Sequence, residues 1–214
     1  MSRLNERDVS EVIREERLIG YLDPGAEKYL LKLNNKLMQT TSSCTGRITF
    51  VEGRWHWLRD SARIVFKTHA KVTVAEVAAV LSKPFNDLWL KVTGPIIHVK
   101  VSNYTTASKL LAIAREAGFK HSGVMAMQEG YIMVELLSAV QLSMPVKIGG
   151  TWTITPSSIG LLVDVSNSAL EEGWRRLSRL SELVERLVVS SGSPYTQGLD
   201  EVDRTGQDKD PCPS

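Results

Sequence analysis

Cysteine is nearly absent from this chain. Two occur in 214 residues, Cys44 and Cys212, far apart and in unlike surroundings. That excludes a disulfide framework and a cysteine-rich metal site, and it makes a reducing cytosol, hence a cytoplasmic protein, the expected setting. Long apolar runs are missing as well; none approaches the roughly 20 residues of a membrane span, so no membrane association is expected. The opening "MSRLNERDVSEVIREERLIG" is densely charged and unlike a signal peptide. The histidines, at 56, 69, 98 and 121, are dispersed, with neither H-x-x-x-H nor H-x-x-E-H spacing, so no metal is expected. No G-x-G-x-x-G lies between a strand and a helix and no P-loop pattern occurs, which excludes those two nucleotide cradles. No internal repeat is visible.

What is present suits one domain with a real core: the hydrophobic share is 43%. Residues 190–214 are polar and rich in Gly, Ser and Pro, and read as a disordered tail beyond a domain at 1–189. That tail carries five acids against two bases. Its balance of −3 turns the net +2 of the whole chain into +5 over residues 1–189. A mildly basic domain is compatible with a nucleic-acid partner without requiring one.

Asp23-Pro24 reads as a helix N-cap and first turn, and Ala26, Leu30, Leu33 and Leu37 follow at helical spacing. Lys28, Lys32 and Lys36, each four apart, would line one face of that helix, either as a solvated face or as a phosphate-binding row. "RITFVE", "RWHWLR" and "ARIVFKTH" read as three strands, and Thr73 to Glu76 as a capping box. "LWLKV" and "IIHVKVS" flank Gly94-Pro95. "TTASKLLAIAREAGF" is a helix with Leu110, Ala114 and Ala117 inward and Gly118 at its end. "GVMAMQ" and "YIMVELLS" form a hairpin around Glu129-Gly130, and "GLLVDVS" reads as a further strand. A last helix spans about 168–189, with Leu170, Trp174, Leu177, Val184 and Val188 on one face. Strands joined by short turns predict an α/β (mixed α+β) domain: one mixed, largely antiparallel sheet with flanking helices, not of the Rossmann type.

The chemistry concentrates in "TTSSCTGRITF", residues 40–50. With a helix ending near Met38 and a strand beginning near Arg47, the segment between is expected to be a loop of short side chains. Ser42, Ser43 and Cys44 leave backbone amides accessible, Gly46 permits close approach, and Arg47 supplies a planar fork for a carboxylate or phosphate. An anion cradle and an ordinary connection both fit. Cys44 is as readily a small buried thiol as a nucleophile. Residues 47–71 hold six bases and two acids around Trp55, His56 and Trp57. In a strand Trp55 and Trp57 would share a face, either stacking on RNA bases or filling the core. His98, in "IIHVKV", reads as a satisfied core histidine or a site residue; His69 ends a strand and His121 begins one, so both could edge a cleft.

"TTSSCTGRI" resembles the signature of the tRNA wybutosine-synthesising proteins of type three, the wyosine-derivative tRNA methyltransferase family. Further matches follow in order: Gly20, Asp23, Asn34, Thr68-His69, His98-Val99, "GFKHSG" at 118–123, Ser138, Pro145 and Asn167. The likeness covers about residues 18–180. It departs where the pattern has a basic residue, an arginine, a lysine and an asparagine: here stand Ile19, Leu137, Ala169 and Gly173. The resemblance implies a family-specific α/β fold and S-adenosylmethionine as cofactor. It also implies methylation of a ring nitrogen, N4, of the tricyclic base beside the anticodon of phenylalanine tRNA.

On that basis Arg47 is expected to hold a carboxylate, and His69 or His98 to take the acceptor proton or hydrogen-bond the base. Ser42, Ser43, Cys44, Gly46 and Ser122 are expected to contact the cofactor. Lys28, Lys32, Lys36, Arg54, Trp55 and Arg59 are expected to hold the anticodon stem-loop. A non-catalytic RNA-binding module is the competing expectation, and a cofactor-binding protein with a substrate other than RNA is a third.

Overall fold

The computed structural model describes residues 9–190 except Pro24 and Arg59, with side chains described to residue 187. The expected tail therefore lies outside the described residues. Five helices and nine strands follow one another as α1 (Val9–Leu18), α2 (Glu27–Leu33), β1 (Met38–Cys44), β2 (Arg47–Glu52), β3 (Arg63–Thr68), α3 (Val74–Leu81), β4 (Leu88–Thr93), β5 (Ile96–Val101), α4 (Tyr104–Glu116), β6 (Gly123–Gln128), β7 (Tyr131–Leu137), β8 (Gln141–Ile148), β9 (Thr151–Trp152) and α5 (Ile159–Ser190).

The class is mixed α/β, and every strand pair is antiparallel. The strands divide into two sheets instead of one. The first has the order β1-β5-β7-β6 and the second β3-β2-β4-β8-β9. The chain passes between them at Thr45-Gly46, at Gly94-Pro95 and at Ser138–Val140. The corners are tied together: Gly94 N–H donates to Val140 O at 2.8 Å and Ser138 N–H to Pro95 O at 3.0 Å.

Each sheet covers its own core. Ile97, Val99, Val101, Val134 and Leu136 of the first sheet pack with Leu30, Leu33, Leu110 and Ala114 from α2 and α4. Ile48, Phe50, Leu88, Leu90 and Val92 of the second pack with Val77, Val80 and Leu81 from α3. Helix α5 serves both cores, with Leu162, Val163 and Leu170 in the second and Leu177, Leu180 and Val184 in the first. Its 32 residues span about 48 Å.

Several elements differ from the sequence reading, each for a local reason. Helix α2 begins after Ala26, not at Asp23-Pro24, and stops at Asn34 rather than running to Met38. Asn34 ends it by competing for the backbone: its Nδ2 donates to Leu30 O at 2.7 Å and to Thr40 Oγ1 at 2.8 Å, and its Oδ1 accepts from Thr40 N. Leu37 is left exposed in the following turn.

Residues 40–44 are consequently strand, not loop, and β1 pairs with β5. In place of the strand expected at "RWHWLR", its described residues 54–58 turn, with Leu58 N–H donating to Trp55 O and Ala62 N–H to Leu58 O. Trp55 and Trp57 stack at 5.0 Å, and His56 packs on Trp89 at 4.7 Å. "GLLVDVS" is the first part of α5, where buried Leu162, Val163, Ser166 and Leu170 follow helical spacing. Asn167 lies inside this helix and clasps Val72, accepting from its N–H and donating to its carbonyl, each at 2.8 Å.

Candidate active site at the corner between the sheets

The corner Thr45-Gly46 takes the chain from the edge of the first sheet into the middle of the second. Gly46 has φ +106°, and a Cβ there would lie 3.0 Å from Thr93 O and 3.2 Å from Leu170 Cδ1. Only glycine accepts both that backbone angle and that approach.

Asp23, in the α1–α2 connection, braces the corner. Its Oδ2 accepts from Thr45 N at 2.8 Å and from Thr45 Oγ1 at 3.3 Å, and lies 3.2 Å from His69 Nδ1. His69 Nδ1 also lies 2.8 Å from Gly46 O. A carbonyl only accepts, so Nδ1 carries the hydrogen and Nε2 keeps the lone pair of the neutral ring.

Cys44 Sγ is 3.9 Å from the same nitrogen. Burial pushes the Cys44 thiol up; the Gly46 backbone and the Arg47 charge pull it down, and Asp23 adds to the rise. Asp23, Cys44 and His69 offer one ligand atom each within 4.8 Å. With Nδ1 committed to a carbonyl and the sulfur held as a thiol, this donor set is suited to a hydrogen-bonded brace more than to a cation.

Arg47 opens β2 opposite Thr93, and Lys91 stands opposite Thr49 two positions along. Both are half-buried. Burial lowers the Lys91 ammonium below the usual lysine range, and the neighbouring Arg47 lowers it further. Neither cation has a carboxylate partner among the described residues, so a carboxylate entering here would meet two cations without a competing acid.

On the exposed face of the first sheet, Ser42, His98 and Glu135 sit side by side on β1, β5 and β7. Ser42 Oγ is 2.7 Å from His98 Nδ1, and His98 Nε2 is 3.2 Å from Glu135 Oε1. His98 is therefore not a core histidine.

The remaining sequence-derived residues scatter. Ser43 pairs with Ile97 on β1. The Ser122 hydroxyl is spent on the fold, donating to Phe119 O at 2.8 Å and accepting from Leu137 N at 3.0 Å. The lysine row does not form: Lys28 lies over the Tyr29 ring, Lys32 binds Glu185 at 2.9 Å, and Lys36 falls in the turn beyond α2. His121 stays exposed.

Arg54 lies 3.4 Å from Asp87 and over the Trp55 ring. Asp87 also accepts from Gly149 N at 2.9 Å. This end of the second sheet gathers exposed Trp55, Trp57 and Trp152, with Lys147 over the Trp152 ring. Arg59 lies outside the described residues. Asp23, Glu135 and Lys91 are the site residues to which sequence reasoning gave no role. Asp23 had a signal, since it falls among the ordered matches. Glu135 and Lys91 needed strand register to find.

Known proteins resemble this chain in sequence and fold. The model of a family described as Methyltransferase TYW3 matches residues 1–186. A protein of Aeropyrum pernix named tRNA(Phe) 7-((3-amino-3-carboxypropyl)-4-demethylwyosine(37)-N(4))-methyltransferase is 45% identical, over 84% of this chain and 97% of its own length. A protein of the same name from Saccharolobus solfataricus is 37% identical, over 85% and 88%. A crystal structure of a hypothetical protein from Aeropyrum pernix superposes with a TM-score of 0.72 at 41% identity, covering 78% of this chain and 99% of that one. A Pyrococcus horikoshii structure gives 0.74 at 26% identity, over 81% and 91%. With the family's model matched over residues 1–186, and a relative of 45% identity covered over 97% of its length, the chain belongs to the Methyltransferase TYW3 family.

Proposed function

We propose that this chain methylates N4 of the tricyclic 4-demethylwyosine-type base of tRNA(Phe), presented in the anticodon stem-loop, with S-adenosylmethionine as donor, in the cytoplasm. The observation that carries the reading is 45% identity across 97% of a relative bearing that activity in its name. Bound S-adenosylmethionine supplies an electrophilic methyl group on a sulfonium.

The residues present fit such a donor. Its amino acid end carries a carboxylate, and Arg47 and Lys91 are half-buried cations lacking an acid partner among the described residues. Ser43, Cys44 and Gly46 would line the same approach. The base named in the relatives bears an aminocarboxypropyl arm with a second carboxylate, which competes for the same cations. In-line transfer demands that donor and acceptor nitrogen be held collinear, and a rigid corner braced by Asp23 and His69 holds Arg47 in place for that. The tricyclic base leaves its stack to reach the corner. Arg54, Trp55, Trp57, Lys147 and Trp152 form a surface where rings stack on bases and cations track phosphates.

The test is methyl transfer from labelled S-adenosylmethionine to tRNA(Phe) carrying the unmethylated base. Arg47→Ala is expected to abolish transfer and leave the melting temperature nearly unchanged; a fully active variant overturns the role of Arg47. The exposed tryptophans also suit an RNA-binding module without catalysis, so titrations with S-adenosylmethionine and with stem-loop RNA are run separately. Binding of RNA alone would favour that second reading.

A further inference from the structure

We propose that Ser42, His98 and Glu135 form a proton relay across the first sheet: Ser42 receives the proton leaving the acceptor nitrogen, His98 stores it and Glu135 positions His98. The inference rests on the methylation reading above.

Register makes the relay. Ser42 pairs with His98 on β5, and His98 pairs with Glu135 on β7. Partners opposite one another on adjacent strands share a face, so the three side chains line up across the strands. The contacts are 2.7 Å from Ser42 Oγ to His98 Nδ1 and 3.2 Å from His98 Nε2 to Glu135 Oε1. Ser42 is exposed, while the His98 and Glu135 side chains are 29% and 31% exposed. The open end of the chain is thus a hydroxyl, and the carboxylate lies farthest from an incoming base.

The hydrogens follow from the partners. An ionised carboxylate only accepts, so His98 Nε2 carries the hydrogen. In the neutral ring Nδ1 then holds the lone pair and accepts from Ser42. The Ser42 hydrogen points along the sheet and its oxygen lone pairs face outward. This tautomer is the opposite of the one held at His69, whose Nδ1 donates to Gly46 O. His69 braces the corner, whereas His98 has a basic nitrogen reachable through an exposed hydroxyl.

Methylation of a ring nitrogen that bears hydrogen needs such an acceptor. As the nitrogen–carbon bond forms and the carbon–sulfur bond breaks, its electron pair stays on sulfur and the nitrogen must lose its proton. That proton passes to Ser42 Oγ while the Ser42 proton passes to His98 Nδ1. The positive charge that began on the sulfonium ends on an imidazolium beside the Glu135 carboxylate. Around His98 the charged and titratable neighbours are Glu135 from β7, Cys44 from β1 and Lys100 two positions along β5, and Lys100 lies over the Tyr131 ring at 4.9 Å. Glu135 is the anion the structure places in contact with the ring.

Nitrogen NMR of the free full-length protein reads the tautomer directly. The expected result is His98 with hydrogen on Nε2. Hydrogen on Nδ1 overturns the relay, and this measurement does not depend on activity or on any variant.

Single-turnover transfer to tRNA(Phe) bearing the unmethylated base supplies the second arm. Glu135→Gln and Ser42→Ala are each expected to slow transfer about a hundredfold, with the KM for S-adenosylmethionine and the tRNA affinity unchanged. Ser42→Thr should restore most of the rate, and added imidazole should rescue His98→Gly. Wild-type rates in both Glu135→Gln and Ser42→Ala overturn the relay. Should the wild-type chain itself transfer no methyl group, the methylation reading falls instead.

Discussion

At the scale of single residues, the site is organised by what each cation and ring nitrogen has for company. Arg47 and Lys91 stand out as half-buried cations with no acid partner among the described residues, whereas Lys71 pairs with Glu171 and Arg63 with Glu52 at 2.5 Å. Burial and Arg47 both make the charged form of Lys91 costly, so the protein holds an ammonium that gains from an arriving anion. Lys91→Ala should therefore raise the KM for S-adenosylmethionine about tenfold or more, the scale of one charge-assisted hydrogen bond. The affinity for tRNA should hardly change.

The sign of the pH dependence follows from the lowered pKa. The ammonium is charged below its pKa and neutral above it, so donor affinity declines as pH rises. The decline begins below the ordinary lysine value of about 10.4. Lys91→Ala should lack this alkaline limb. Steady-state KM measured across the alkaline range checks both statements, and a wild-type KM independent of pH there would remove Lys91 from the donor site.

Elements show why half of this was readable in the sequence. Helix α4 and its C-terminal Gly118, the capping box of α3 and the β6–β7 hairpin follow from spacing and local hydrogen bonding, and all are present. In α3 both halves of the box form, with Thr73 N donating to Glu76 Oε2 at 2.8 Å and Glu76 N to Thr73 Oγ1 at 3.2 Å. Strand β1 was hidden because its Thr, Ser and Cys residues alternate nothing apolar; it exists because Asn34 stops the helix and β5 offers it an edge. The start of α5 was hidden because "GLLVDVS" mixes β-branched residues with a glycine, and tertiary packing overrode that preference. The two histidines and Arg47 were legible as residue types. Their partners Glu135 and Lys91 were not, because strand register brings them together; Asp23 stood among the family matches, but only the fold of the α1–α2 connection sets it against Thr45 and His69.

Gly173 tests the same point for α5. Glycine inside a helix costs about 1 kcal/mol relative to alanine, which alone favours Gly173→Ala. Here, however, a Cβ would sit 2.9 Å from Pro95 Cδ and 3.4 Å from Gly94 Cα, against the rigid turn that joins the sheets. The clash should outweigh the propensity gain. Gly173→Ala is expected to lower the melting temperature, and a rise would show that the helix and the turn separate freely.

For the whole molecule, charge decides how the tRNA arrives. Residues 1–189 carry +5 while residues 190–214 carry −3, a division that the near-neutral total conceals. With Arg47 and Lys91 given to the donor, Lys67 remains on the second sheet, and Arg54 and Lys147 stand at its tryptophan-bearing end. If these three meet phosphates of a single-stranded loop, binding releases their counterions. The logarithm of affinity should then fall against that of salt with a slope of about −2, following about −0.7 per contact.

The acids of residues 190–214 lower the net positive charge that an approaching phosphate meets. Replacing Asp200, Glu201, Asp203, Asp208 and Asp210 by their amides should strengthen tRNA binding at low salt. The gain should fade at about 0.15 M salt and above, where the screening length falls to about 8 Å. Filter binding of tRNA(Phe) across a salt series checks both parts. A flat wild-type series would mean that the cations of the second sheet do not meet phosphate, and the tRNA would then have to dock by the helical side instead.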